Sequence, residues 1–369
     1  MDGQALVYCE GAFNTPNGKT AHGLVRFTQR YHVLSVIDSR YSGKDAGEIL
    51  DSKNKNIPVL DSVQAAFYYS KNKGNTPTYM VIGIAPDGGS LSLKMKEDII
   101  QAIELGLNID SGLHDYLTDD HDILRRAILN NVHIRDIRKP PEKHQLHFFS
   151  GKIEEVKCPK IAFLGTDSAI GKRTSSWLLV QKLIEKGIRA EMIGTGQTSW
   201  MQGVKYGIVM DSLINDFVSG EIEHAVHSAW INEKPDIMVI EGQGSLLNPA
   251  YPGGFEILAA ARPDAVILQH GPKRIEYDGF PGYRIESIDH QVRAIEIISG
   301  RTVLAITINH ENMKRKELDT QKEEIFRQTG LPAYDLLWED GQELINLITS
   351  SLFQRDKNNE KNATSLILG

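Results

Sequence analysis

Cysteine is almost missing from this chain: Cys9 and Cys158 are the two among 369 residues. A disulfide framework needs more, and two isolated residues build neither a CxxC zinc site nor a redox pair. Two reduced thiols are expected. No apolar run reaches the ~20 residues that span a bilayer. The start Met1-Asp2-Gly3-Gln4 has neither the basic cluster nor the apolar core of a signal peptide. No membrane association is therefore expected, and a cytoplasmic location is. Positive charge is also scarce. With 41 Lys and Arg against 48 Asp and Glu the formal charge is −7, which argues against nucleic-acid partners and leaves small anionic molecules in local basic pockets. The GxGxxG fingerprint and repeats of solenoid period are absent too.

What remains is the composition of a globular protein, 41% hydrophobic and 24% charged. Its length suffices for two domains, each with its own core. Short apolar runs read as strands at 4–9, 31–37, 57–60, 79–85, 160–165, 190–193, 236–240, 265–269 and 303–308. Helical spacing of apolar residues covers 62–69, 92–105, 286–299 and 318–329, and a further helix is bounded by Gly187. Strands alternating with helices predict an α/β fold with two parallel sheets, each covered on both faces. Residues 110–158 read as a more polar bridge, and Lys139-Pro140-Pro141-Glu142 cannot continue a regular element. The expected division is therefore 1–138, a linker at 139–158, a second domain at 159–355 and a loose tail at 356–369. A cytoplasmic enzyme of this size is also expected to form a homo-oligomer.

In the first domain, Asn17-Gly18-Lys19-Thr20 has the ending of a phosphate loop but no correctly spaced upstream glycine, so an ordinary helix-starting loop is the plainer reading. Asp38 ends the second strand as a ribose-binding acid does, yet no glycine fingerprint precedes it. His114, Asp119, Asp120, His121 and Asp122 cluster without a metal-ligand spacing, and helix capping is the plainer reading.

The second domain opens on the most informative stretch, Gly165-Thr-Asp-Ser-Ala-Ile-Gly-Lys-Arg-Thr174. An apolar strand precedes it and an amphipathic segment follows. Two glycines let successive N–H groups converge on an anion, and Lys172 adds charge beside a helix N-terminus. Phosphate-bearing cofactor contacts are thus expected from Gly165, Thr166, Asp167, Ser168, Gly171, Lys172, Arg173 and Thr174. Further strand ends carry Gly194-Thr-Gly-Gln-Thr-Ser199 and Glu241-Gly-Gln-Gly-Ser245. Thr195, Gln197, Gln243, Ser245 and Tyr251 are the candidate substrate contacts.

Five residues separate Gly165 from Gly171, where the ordinary Walker loop has four. With Glu241-Gly-Gln-Gly-Ser245, the loop resembles dethiobiotin synthetase and related amide-forming enzymes. Those place a magnesium-binding hydroxyl directly after the lysine, whereas here Arg173 stands there. A one-residue shift to Thr174 turns that ligand by about 100° around the helix. Arginine's planar fork suits an anion bound without metal.

Together with Gly194-Thr-Gly-Gln-Thr198, Pro249-Ala-Tyr251 and Gly18-Lys-Thr-Ala-His-Gly23, these motifs resemble the family catalogued as domain of unknown function 1611. The resemblance covers the chain to about residue 350 and implies a Rossmann-like domain followed by a P-loop NTPase-like domain. It further implies D-glutamate N-acetyltransferase activity, with acetyl-CoA as donor and an amino-acid substrate; with Arg173 in the ligand's place, no metal is expected. Such chemistry needs a proton acceptor, and Glu241, His270 and Asp167 are the candidates. His270 also reads as a structural histidine, and Glu241 as a metal ligand. Arg262, Lys273, Arg274 and Arg284 are candidate clamps for a substrate carboxylate. An ATP- and magnesium-dependent ligase or kinase is the alternative, and a nucleotide-sensing module without turnover the third.

Overall fold

The computed structural model describes residues 1–353; the tail expected at 356–369 lies outside them. The chain divides into two compact units, Met1–Glu142 with Gly196–Val204, and Lys143–Thr195 with residues 205 onward.

The first unit is built on six parallel strands: β1 (Gly3–Tyr8), β2 (Tyr31–Ile37), β3 (Val59–Leu60), β4 (Tyr79–Ile82), β5 (Asn108–Ser111) and β6 (Ile134–Asp136). Their spatial order is β3-β2-β1-β4-β5-β6, the doubly wound order of dinucleotide-binding folds. Helices α1 (Lys19–Arg26), α2 (Ala46–Asp51), α3 (Val63–Asn72), α4 (Leu93–Glu104) and α5 (His121–Leu129) connect them. Alternation along β1 shows how the sheet is covered. Ala5, Val7 and Cys9 enter one buried cluster, whereas Leu6 and Tyr8 enter another, because successive side chains point to opposite faces.

The second unit carries β7 (Lys160–Gly165), β8 (Ala190–Gly194), β9 (Tyr206–Gly207), β10 (Ile237–Glu241), β11 (Ala265–His270), β12 (Val303–Ile308) and β13 (Ala333–Tyr334). All are parallel, in the order β13-β12-β11-β7-β10-β8-β9. Helices α6 (Lys172–Glu185), α8 (Asn215–Glu233), α9 (Gly254–Ala261), α10 (Ile288–Ser299) and α11 (Leu318–Thr329) belong here, while α7 (Gln197–Gln202) belongs to the first unit. Within that first unit Gln202 donates to the carbonyls of Gly23 and Phe27, and the Arg30 guanidinium lies 3.7 Å above the Trp200 ring. Among the described residues no helix is long and apolar enough to cross a membrane. Cys9 and Cys158 are free and buried, and burial pushes the Cys158 thiol up to about 11.

Two sequence expectations need correction. The polar bridge at 110–158 takes in the end of β5 and all of α5 and β6. Its strands escape notice because they are short and carry an ion pair in place of an apolar run: fully buried Asp110 takes Nε and Nη2 of half-buried Arg135 at 2.6 Å each and the Tyr31 hydroxyl. The stretch 139–158, expected as a linker, supplies Ile153, Val156 and Cys158 to the second unit's core. It docks on α8, where a Cβ on Gly220 would sit 2.0 Å from the His147 carbonyl oxygen. There the buried Glu223 carboxylate accepts from the Ser150 N–H, the Ser150 hydroxyl and the Ile153 N–H. In the acidic cluster, Asp120 caps α5 and pairs with Lys96, as capping predicts.

Candidate functional site

The buried strand β7 delivers Gly165 to the carboxyl edge of the sheet, and residues 166–171 turn into α6. Ala169 and Gly171 both take left-handed conformations, with φ of 46° and 96°. Glycine adopts this freely and alanine does so under strain. A Cβ on Gly165 would meet Lys172 Cδ at 2.8 Å, and one on Gly242, just after β10, would meet the Phe163 carbonyl oxygen at 2.2 Å. The lysine stem therefore passes close over two glycines. Lys172 is 6% exposed, and its Nζ donates to the Asp167 carbonyl at 2.6 Å. A buried ammonium at the head of a 14-residue helix, where backbone N–H groups lack intrahelical acceptors, makes an anion cradle. Arg173 and Thr174 are half-buried on the first turn, and the Ser176 hydroxyl turns back to the Lys172 carbonyl at 2.9 Å.

The cradle is fastened from outside. Fully buried Asp167 accepts from the Ser168 N–H at 2.6 Å, Asn248 Nδ2 at 3.0 Å, and both Arg274 and the Asp278 N–H at 2.9 Å. Asn309 Nδ2 donates to the Ile170 carbonyl at 2.9 Å, and Gln291 to that of Thr166 at 3.3 Å. With four donors in place, Asp167 ties the loop down, and of the three candidate bases it suits proton transfer least. His270 Nδ1 lies 3.1 Å from Thr166 Oγ1. Burial holds the imidazole's pKa down at about 4, so the ring is neutral at pH 7 and serves the loop as a hydrogen-bond partner.

Strands β11, β7, β10 and β8 are consecutive neighbours, so His270, the phosphate loop, Glu241 and Thr195 form one row at their carboxyl ends. Adjacent strands lie about 4.8 Å apart, which puts the β10 carboxylate beside the loop. Glu241 is 6% exposed, and its Oε2 accepts from the Thr195 N–H at 2.9 Å. Thr195 itself is buried, and its hydroxyl has no partner among the described residues.

The segment after Glu241 folds tightly: a Cβ on Gly244 would come 1.7 Å from the Tyr251 carbonyl oxygen. Ser245 is committed to this loop, its N–H to Tyr251 and its hydroxyl to the Asn248 N–H. Gln243 is half-buried, and Tyr251 is exposed with its ring 6.2 Å from Phe280. Gln197 belongs to the first unit, where its side chain packs at Gly112.

Three of the four candidate clamps are already paired. Arg262 meets Glu154 at 3.3 Å, Lys273 meets Glu317 at 2.9 Å, and Arg274 bridges Asp167 and Glu311. Arg284 is exposed on a turn bridged to Glu276. Among the described residues no group of three His, Cys, Asp or Glu is placed to hold a metal ion. Sequence reasoning does not single out Asn248, Gln291 and Asn309: Gln291 and Asn309 are lone amides, and Asn248 falls in the gap between Glu241-Gly-Gln-Gly-Ser245 and Pro249-Ala-Tyr251.

Residues 147–345 match the P-loop domain of the domain of unknown function DUF1611, and residues 39–140 match its N-terminal Rossmann-like domain. The chain is similar to a D-glutamate N-acetyltransferase of Tritonibacter scottomollicae, 29% identical over 263 residues (69% of this chain, 76% of the relative). A D-glutamate N-acetyltransferase of a Pseudoalteromonas species is 31% identical over 272 residues (72% and 79%). The crystal structure of a DUF1611 family protein from Anabaena variabilis is similar with a TM-score of 0.85 at 26% identity, covering 94% of this chain and 99% of that one.

Proposed function

The chain belongs to the DUF1611 family, and from that premise we propose that it is an N-acetyltransferase moving acetyl from acetyl-CoA to the amine of a D-amino acid, first of all D-glutamate. The observation that carries this reading is buried Lys172, closing a two-glycine cradle beside buried Glu241. The donor set suits phosphate groups of a cofactor: loop N–H groups, a lysine, and half-buried Arg173 at a helix N-terminus. Acetyl-CoA, when bound, supplies an acetyl thioester.

Lys172 and the loop would anchor the cofactor, leaving chemistry to the neighbouring strand end. Glu241 would take a proton from the substrate ammonium, freeing the nitrogen pair to form the C–N bond as the C–S bond breaks. Two protons leave that nitrogen overall: one reaches the departing sulfur as thiol and the other is released to solvent. His270, neutral at pH 7, would hold Thr166 and hence the loop.

An ATP- and magnesium-dependent reaction is the second reading, favoured by a buried carboxylate at the strand end next to the phosphate loop. One assay separates the two. Purified protein is incubated with D-glutamate and either acetyl-CoA or ATP plus magnesium, while free thiol and released phosphate are followed. Thiol release that requires D-glutamate is the expected outcome. Phosphate release without thiol overturns it, and silence in both with nucleotide binding intact favours a sensor.

A further inference from the structure

The Thr195 hydroxyl is the feature of the strand row that its own fold does not explain. The residue is 1% exposed and Oγ1 has no partner among the described residues. A buried hydroxyl without a partner costs stability, and valine, of the same shape, would remove that cost. The fold has no need of the oxygen. Its main chain is fully engaged: the N–H donates to Glu241 Oε2 at 2.9 Å, and the carbonyl accepts from the Met210 N–H at 3.2 Å. The residue that carries the unpaired oxygen is thus held by its backbone, its own N–H resting on a buried carboxylate.

A ligand group that answers both neighbours must donate to the carboxylate, whereas the hydroxyl can either accept from it or donate to it. A primary ammonium does this, having three N–H donors, whereas a carbonyl or phosphate oxygen would meet repulsion from Glu241. We propose that Thr195 Oγ1 and the Glu241 carboxylate together receive the substrate's primary amine, Thr195 orienting the nitrogen while Glu241 takes its proton. This rests on the acetyltransferase reading and assigns the amine a seat within it.

The test uses the full chain as wild type, T195V and T195S, with D-glutamate and glutarate as probes, the latter lacking the amine. Calorimetric titration in the presence of coenzyme A measures affinity, and scanning calorimetry measures thermal stability. Wild type should prefer D-glutamate to glutarate. T195V should weaken D-glutamate binding by about tenfold or more, leave glutarate and coenzyme A affinities unchanged, and melt no lower than wild type. T195S should restore the preference. An undiminished preference in T195V overturns the proposal, as does a lowered melting temperature, which would mark a structural hydroxyl. Equal affinity of wild type for the two probes also overturns it. Failure of the acetyltransferase reading shows separately, as absence of thiol release by wild type. Loss in T195V of magnesium-dependent nucleotide binding alone also overturns it and moves the hydroxyl to the second reading.

Discussion

Both units send their first strand into a loop and then a helix that starts on glycine and lysine, yet only one of these makes a phosphate cradle. In the first unit Gly18 has an ordinary negative φ, Lys19 is exposed, and Thr20 is buried against Thr198, its hydroxyl 2.7 Å away. A 3-10 turn that begins at Pro16 leads straight into α1. In the second unit Gly171 is left-handed, Lys172 is buried, and an aspartate with four donors pins the loop. The dipeptide is the same. What differs is the backbone before it, and whether the lysine is drawn across the loop or left outside.

The acids at the strand ends differ in the same way. Asp38, just after β2, is fully buried and saturated by the Phe13 N–H and by the main chain and guanidinium of Arg40. Burial pushes its carboxyl up, but these hydrogen bonds more than offset it and hold it below the usual range. Glu241 on β10 meets the N–H of a residue whose hydroxyl is unpaired. The first arrangement builds a fold, whereas the second sets a buried carboxylate beside a hydroxyl that has no partner among the described residues.

Substitutions at paired positions sharpen this contrast. Glu241→Gln should lower kcat by about a hundredfold or more with little change in cofactor affinity. Asp38→Asn should instead cost about 1–3 kcal/mol of stability, read as a lower denaturation midpoint, with kcat retained. Lys172→Ala should weaken coenzyme A binding about ten- to a hundredfold by titration, against no more than about twofold for Lys19→Ala. Equal losses would erase the distinction between the two loops.

Acidification gives a smaller effect. The His270 pKa is depressed to about 4 in the fold against about 6.5 unfolded, so the unfolded chain binds the extra proton first. Its contribution of about 3 kcal/mol is present above pH 6.5 and is lost as pH falls towards 4. His224, depressed by burial and then by the charge of His147, acts in the same direction. Denaturant midpoints between pH 7 and 4.5 should therefore fall less in His270→Gln than in wild type.

Much of the architecture is legible in the sequence because β1, β2, β7, β10 and β11 are near-continuous apolar runs, as strands buried on both faces require. The elements that escape lack that mark. β6 has no fully buried residue, and β5 commits Asp110 to an ion pair. The 139–158 stretch looks like a linker because it docks through backbone groups onto Glu223. Helix α7 follows β8 directly in sequence yet packs with the first unit, which local pattern does not encode.

The sequence by itself determined that a phosphate-type loop follows an apolar strand, that a carboxylate and a threonine stand at strand ends, and that the chain is two parallel α/β units. These rest on backbone propensity and hydrophobic period, which neighbours along the chain carry. Only the tertiary structure decided that Asp167 is a fastener, that three candidate clamps are paired to acids, and that the Thr195 hydroxyl is left over. Satisfying a buried polar group depends on partners brought from afar, such as Arg274, 107 residues beyond Asp167, and packing alone determines which groups are satisfied and which wait for a ligand.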